Sequence, residues 1–529
     1  MNISYRKLRW AVGIATVTCV VAACGSSGGS SPAASSSSSP SLVVDTYFQL
    51  KTVDPSREFE GTGQMVDKAL YDTLITFKGA DTTTLIPDLA TSWSLSPDAK
   101  TLTLTLAKGR VFSDGSPVTS ADVVFTLDRV AGIEGNPSFL MAGVTASAPN
   151  PSTVVLTSKT PNPQLPYILT SPSLGILNEK VVKAHGGTTT QKDAAETYLN
   201  SQSAGSGPYV LSSLNVSSQV KLVANPKYNG PEKPTYGTVI IQNVQPPTQK
   251  INVQRGDAQL ALDLTGNQVQ GIGGNLQVSA GPSGVIIFLL LNQSPAISKL
   301  TSNADFDTAV KDAINYPALL PLAGAGTQPA TGVIPTIFTG SLPAGQGLAY
   351  NLAGAKKALA ASGLAGKSVT LNYPSDNSPS GVNMNTIAQA VQSQLQAIGV
   401  KVSLAPQPTA TELENYRDGK EQIGLWDWSP DYPDAADYLN FGPGALVGLR
   451  ANWTPAKAPQ VTQLATAASA AGASDRAAAY QAFQKAMNAT GPFIPLFQPA
   501  NHLVVAASVT NAVYNALWTV DLAALGAKK

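Results

Sequence analysis

An α/β fold made of two or three globular parts is what this sequence predicts, on three observations. The chain has 529 residues, 43% of them hydrophobic, too long for one simple core and apolar enough to build several. Val369, Leu371 and Tyr373 alternate as a strand, and Met384, Ile387, Val391, Leu395 and Ile398 share one helical face closed by Gly399. Val400, Val402 and Leu404 then alternate again, so strand, helix, glycine and strand form a crossover unit whose strands should be parallel. Earlier in the chain, Thr101–Leu106 alternates Thr and Leu without a break, a half-buried strand. Soon after it, Thr119-Ser120-Ala121-Asp122 reads as a capping box for a helix carrying Val123, Val124, Leu127 and Val130.

Composition narrows the function. Only 13% of residues are charged and the net charge is +1, with no basic stripe, so nucleic acid is not expected as a partner. Two cysteines, Cys19 and Cys24, and two histidines, His185 and His502, cannot build a Cys/His zinc site. Neither histidine lies near a nucleophile motif such as G-x-S-x-G. No catalytic residue, metal or cofactor is expected.

The N-terminus reads as an address. Arg6, Lys7 and Arg9 precede an apolar stretch over residues 10–21, the layout of a secretory signal and too short for a comfortable membrane span. Val21-Ala22-Ala23-Cys24-Gly25 resembles the bacterial lipobox. That resemblance implies cleavage after Ala23, which removes a signal peptide of residues 1–23 together with Cys19, and lipidation of the Cys24 thiol. Residues 25–40 are only Gly, Ser, Ala and Pro, so 24–40 reads as a lipidated Cys and a flexible tether reaching roughly 20–25 Å. The expected location is the extracytoplasmic face of the cell membrane, lipid-anchored.

Residues 41–48 open the folded part as a strand, ended by the turn signal Asp54-Pro55. Phe59-Glu60-Gly61-Thr62-Gly63 reads as an irregular loop, and 64–76 as a helix carrying Met65, Ala69, Leu70, Leu74 and Ile75. Next come Pro87-Asp88-Leu89-Ala90-Thr91-Ser92-Trp93, Ser96-Pro97-Asp98 and Phe112-Ser113-Asp114-Gly115-Ser116-Pro117, leading into the capping box. In this order and spacing they resemble the peptide/nickel (family 5) solute-binding proteins of ABC transporters, with Ser113 where many members have His. Gly205-Ser206-Gly207-Pro208-Tyr209, Pro226-Lys227-Tyr228-Asn229-Gly230, Arg255-Gly256-Asp257 and Gly491-Pro492-Phe493-Ile494-Pro495-Leu496 continue the resemblance in register. Residues 284–292 are a buried strand pattern. A helix over 305–320 is expected to end early at Tyr316-Pro317, and 474–490 is an Ala-rich helix.

The resemblance implies a two-lobe periplasmic-binding-protein-like α/β fold (type II, cluster C) with an extra subdomain inserted in the first lobe. Lobe I is expected at 41–80, 190–283 and 500–529, the insert at 81–189, and lobe II at 284–499. It further implies a monomer, not an enzyme, that takes an oligopeptide or other small solute between its lobes and docks on an ABC permease.

The stretch 426–434 is the candidate ligand wall. Trp426, Trp428 and Tyr432 stand beside Asp427, Asp431 and Asp434, where Pro430 and Pro433 prevent the strand from continuing. In the family's oligopeptide-binding members a W-x-x-D stretch matches Trp428-Ser429-Pro430-Asp431. This implies Asp431 as ligand to an α-ammonium, Trp428 as a wall and Ser429 as a main-chain contact; Glu60-Gly61-Thr62 is implied on the facing lobe. Asp434 reads as an N-cap for 435–440, and Asp427 has no assigned role. Two other readings stay open: a non-peptide solute such as an oligosaccharide or nickel complex, and a lipid-anchored hydrolase with paired carboxylates among Asp427, Asp431 and Asp434.

Overall fold

A computed structural model describes residues 40–48 and 50–528. The signal sequence, Cys24 and the tether up to residue 39 lie outside the described residues.

Three sheets carry the fold. In the seven-stranded sheet Ser41–Thr46 is central, parallel to Thr238–Asn243 on one side and Leu260–Ala261 on the other. Its alternation decides its faces: Leu42 and Val44 are fully buried in a core shared with Met65, Val66, Ala69 and Leu70 of the helix Gly61–Leu70. Gln219–Ala224 and Tyr209–Asn215 extend one edge, and Ala500–Ala506 with Leu276–Pro282 the other.

The six-stranded sheet is built around Ile286–Leu291. Ile287, Leu289 and Leu291 enter one core while Ile286, Phe288 and Leu290 enter another, so this unbroken apolar run is a strand covered on both faces. Ile423–Trp428 lies antiparallel beside it. Ser368–Pro374 and Lys401–Gln407 pair in parallel, with Val369 opposite Val402, and helix Met384–Gln396 joins them. Gly399 takes φ +95°, the left-handed turn that lets Val400 N donate to Leu395 O.

The third sheet is antiparallel and four-stranded, in the order Ala90–Leu95, Thr101–Leu106, Thr153–Ser158, Val144–Asn150. Leu102, Leu104 and Leu106 point into its core, under helix Ser120–Gly132. That helix starts where the Asp122 carboxylate accepts from both the Thr119 N–H (2.9 Å) and the Thr119 hydroxyl (2.6 Å).

Two helices depart from a simple periodic reading. Helix Ala304–Ala313 stops and a second, Tyr316–Ala323, begins at Tyr316-Pro317, where Asn315 accepts from Ala318 N, as the proline placement predicts. The helix expected over 64–76 instead spans Gly61–Leu70, so Gly61 and Thr62 form its first turn rather than a loop. It stops because Tyr71 is extended and Gly207 N donates to Leu70 O at 3.1 Å. Ile75–Thr76 then pairs as strand with Ile86–Pro87. A Cβ on Gly207 would lie 2.4 Å from the Leu70 carbonyl carbon, so only glycine fits there.

The chain crosses between the seven- and six-stranded sheets twice, after Pro282 and after Gln498. The crossings run side by side. Ser283 N and Oγ both donate to Pro499 O (3.0 and 2.6 Å), and Gln498 Nε2 donates to Ser283 O at 2.6 Å.

Candidate functional site

Trp426 and Trp428 lie two residues apart in the strand Ile423–Trp428, so both face the same core. Their positions along the strand differ. Trp426 pairs with Phe288 inside the sheet, whereas Trp428 pairs with Ile286, where the neighbouring strand begins. Trp426 is only 3% exposed, stacks on Tyr416 at 4.3 Å, and gives its indole N–H to Glu421 (2.9 and 3.0 Å). Trp426 is therefore a core residue here rather than part of an open wall: Tyr416 covers its ring face and Glu421 takes its indole N–H.

Trp428 is half-buried. Its ring meets Phe441 edge-on at 5.9 Å, the Arg450 guanidinium lies 5.6 Å over it, and its Nε1 donates to Asp437 Oδ2 at 3.0 Å. Ser429 is exposed, and Pro430 packs on Gly284, where a Cβ would come within 2.8 Å of the proline ring.

Asp431 is partly exposed, and its carboxylate accepts no hydrogen bond among the described residues. Burial pushes it up to about 6, while the nearby Arg450 pulls the other way. Its backbone N–H is bound, donating to Asp437 Oδ2 at 3.0 Å.

The other acids of the stretch are engaged separately. Asp427 accepts from Asn377 Nδ2 at 2.7 Å and is pushed up to about 6 by burial. Asp434 is the N-cap of the turn Ala435–Phe441, accepting from Ala436 N at 2.7 Å, and pairs with Arg476. Asp427 and Asp434 are thus each held by a partner of their own. Tyr432 packs against two cores at once, that of the four-stranded sheet and that shared by Trp428 and Phe441.

On the seven-stranded side, Glu60, Gly61 and Thr62 line a cavity of about 290 Å³ with Tyr47, Asp263 and Thr519. Glu60 is the N-cap residue of helix Gly61–Leu70, and Lys51 Nζ stands 3.8 Å from its carboxylate. Burial raises Glu60, and pushes the adjacent Glu58, which accepts the Glu60 N–H, up to about 7. Asp263 Oδ2 collects three donors: Thr46 hydroxyl at 2.9 Å, Tyr47 N at 2.6 Å and Gln249 Nε2 at 2.9 Å. Phe59, next to Glu60, packs on the same four-stranded core as Tyr432, so both candidate stretches approach one small domain.

Asp437 escaped the sequence reading although it ties Trp428 to Asp431. The available signal was an acid within an otherwise apolar Ala-Ala-Asp-Tyr-Leu turn. A larger cavity, about 600 Å³, lies elsewhere, among Lys68, Phe77, Tyr228 and Trp518. No group of three His, Cys, Asp or Glu side chains among the described residues is arranged to hold a metal. His502 is buried with Nε2 2.9 Å from Ala325 O, and His185 stacks on Tyr198 at 3.7 Å.

Comparison with known proteins fits this architecture. The chain is 28% identical over 494 residues to the probable D,D-dipeptide-binding periplasmic protein DdpA of Escherichia coli K12, covering 90% of this chain and 91% of the relative. HbpA2 from Haemophilus parasuis superposes with TM-score 0.80 at 20% identity, over 92% of this chain and all of that one. DppA from Helicobacter pylori, solved in complex with the peptide STSA, superposes with TM-score 0.73 at 21% identity, over 92% of this chain and 98% of that one. Residues 84–444 match the model for bacterial extracellular solute-binding proteins, family 5 middle. The chain belongs to that family, the solute-binding proteins of ABC importers.

Proposed function

We propose that this protein captures a peptide between the seven- and six-stranded lobes and delivers it to a membrane permease. The observation that carries the reading is the Asp431 carboxylate: half-buried, without a hydrogen-bond partner among the described residues, and set beside the Trp428 indole at a sheet's end. Such a group is compensated for its lost hydration only by the field of Arg450, and a peptide's α-ammonium would supply a direct partner. Trp428, Ser429 and Tyr432 complete this wall, and Glu60, Gly61 and Thr62 form the facing one. Relatives named for binding D,D-dipeptides and di/tripeptides support a short peptide as ligand. The two adjacent crossings at Ser283 and Pro499 act as the hinge, and a ligand touching both walls shifts it toward closure. Lipidation at Cys24, supported by Val21-Ala22-Ala23 before it, holds a monomer at the membrane within reach of its permease.

A charge-assisted hydrogen bond contributes about 1.5–3 kcal/mol, so Asp431→Ala should weaken an amine-bearing peptide by roughly one to two orders of magnitude. Mass spectrometry of ligand co-purifying with the protein identifies the solute, and calorimetry on the variant measures the loss. Unchanged affinity in Asp431→Ala would remove the amine-clamp reading.

A further inference from the structure

Asp437 is fully buried in the turn Ala435–Phe441. Its Oδ2 accepts from Trp428 Nε1 and from the Asp431 N–H, both at 3.0 Å, and its Oδ1 from Asn440 Nδ2 at 3.3 Å. One oxygen therefore sets both the plane of the indole and the direction in which the backbone presents Asp431. A neutral acceptor would serve those two N–H groups as well; a carboxylate adds charge.

Among the described residues no cation is bonded to that carboxylate. Arg476 is bound to Asp434, and Arg450 lies over the rings of Tyr416 (4.5 Å) and Trp428 (5.6 Å). The titratable and charged groups around Asp437 are Asp431, Asp434, Tyr432 and Tyr438, with Arg450 acting on Asp431 and Arg476 on Asp434.

We propose that Asp437 is a positioning and specificity-determining residue of this wall: it fixes Trp428 and Asp431 through one oxygen, and its ionisation makes the Asp431 carboxyl select a positively charged ligand group. The inference rests on the reading of Asp431 as the ligand's partner. Burial pushes Asp431 up to about 6, and burial together with the Asp431 charge pushes Asp437 up to about 8. Between those values the pair retains one proton. A cation beside Asp431 favours its loss, so a cationic ligand releases a proton on binding and binds more tightly as pH rises from 6 to 8. A neutral ligand does neither.

The test has a ligand-free arm and a ligand arm, both on the full-length protein with ¹⁵N-labelled tryptophan. The Trp428 indole resonance, assigned by its disappearance in Trp428→Phe, should titrate with a midpoint near 8. It should not titrate in Asp437→Asn, whose amide oxygen still accepts from both donors, and should titrate at lower pH in Asp431→Asn. In the ligand arm, Ala-Ala-Ala and its N-acetyl derivative are compared by calorimetry at pH 6 and 8. At pH 8 the preference for the free amine should fall several-fold in Asp437→Asn, with little change at pH 6, where Asp437 is already protonated, and with the acetylated peptide unaffected at both. It should vanish in Asp431→Asn. An indole resonance that does not titrate, or a midpoint that ignores Asp431→Asn, overturns the positioning role whether or not either peptide binds. A preference lost in Asp431→Asn but intact in Asp437→Asn overturns the inference and leaves the Asp431 reading standing; a preference intact in both overturns the Asp431 reading.

Discussion

Replacing Arg129 should loosen the whole approach to the seven-stranded wall. Arg129 sits in helix Ser120–Gly132 with its side chain fully buried. Nη1 and Nη2 fork onto Asp54 at 2.7 and 2.6 Å, while Nε and Nη2 fork onto Asp193 at 2.9 and 2.8 Å. One guanidinium thus joins the four-stranded domain's helix to the turn that leads to Glu58 and Glu60. Arg129→Met leaves two buried carboxylates sharing only Arg57, whose Nη2 reaches Asp193 at 3.1 Å. Removing one partner of a buried ion pair typically costs about 3–5 kcal/mol. At about 2.1 cal/mol/K per residue, some 490 folded residues give an unfolding entropy of about 1 kcal/mol/K, so Tm should drop by about 3–5 °C. Differential scanning calorimetry at pH 7.5 measures this. Arg129→Lys should recover only part of the loss, because an ammonium cannot serve two planar forks. Adding Asp54→Asn to Arg129→Met should recover part by removing one stranded charge. A Tm within about 1 °C of the parent for Arg129→Met would refute the argument that the two forks are net stabilising.

Three further outcomes are expected. Glu58 is raised by burial to about 7, so its stabilising contribution is complete below its unfolded value near 4.5 and is lost as pH rises through 7; Glu58→Gln should shrink the Tm loss between pH 5 and pH 8, and an unaltered loss counts against it. Trp426→Phe strands Glu421 without its indole donor and should cost about 1–3 kcal/mol in urea unfolding while leaving peptide affinity unchanged; weakened binding with stability intact would restore Trp426 to the wall. Gly207→Ala drives a methyl into the Leu70 and Tyr71 backbone and should destabilise by about 1–3 kcal/mol, measured the same way, with a neutral result showing that the helix end can shift.

Local alternation and punctuation made much of the fold legible. The Thr/Leu run, the crossover unit ending at Gly399 and the early stop before Tyr316-Pro317 follow from rules acting over a few residues. The Asp434 cap belongs to the same class. What was hidden depends on distance along the chain or on position within a sheet. A period of two assigns Trp426 and Trp428 to one face but cannot say which lies inside; that follows from where the strand beginning at Ile286 starts. Asp437 looks like any turn acid until the fold brings the indole and the Asp431 amide to it. Arg129 meets Asp54 and Asp193 across 75 and 64 residues, and nothing near any of the three announces the others. The bounds of the helix that begins at Gly61 are hidden because Leu74 and Ile75 keep a helical rhythm past the point where Gly207 caps Leu70.

Gly284, in the first crossing, touches the candidate wall directly. Tyr438 Oη donates to its carbonyl at 2.6 Å, and Pro430 closes over its α-carbon. The residues flanking Asp431 and Asp437 therefore bear on the same backbone unit that links the two sheets. Any torsional change at that link is transmitted to the wall within one residue's length, with no long lever between them. If the crossings hinge as proposed, substitutions that retune what the wall holds should also retune how readily the halves reorient, coupling affinity to opening rate.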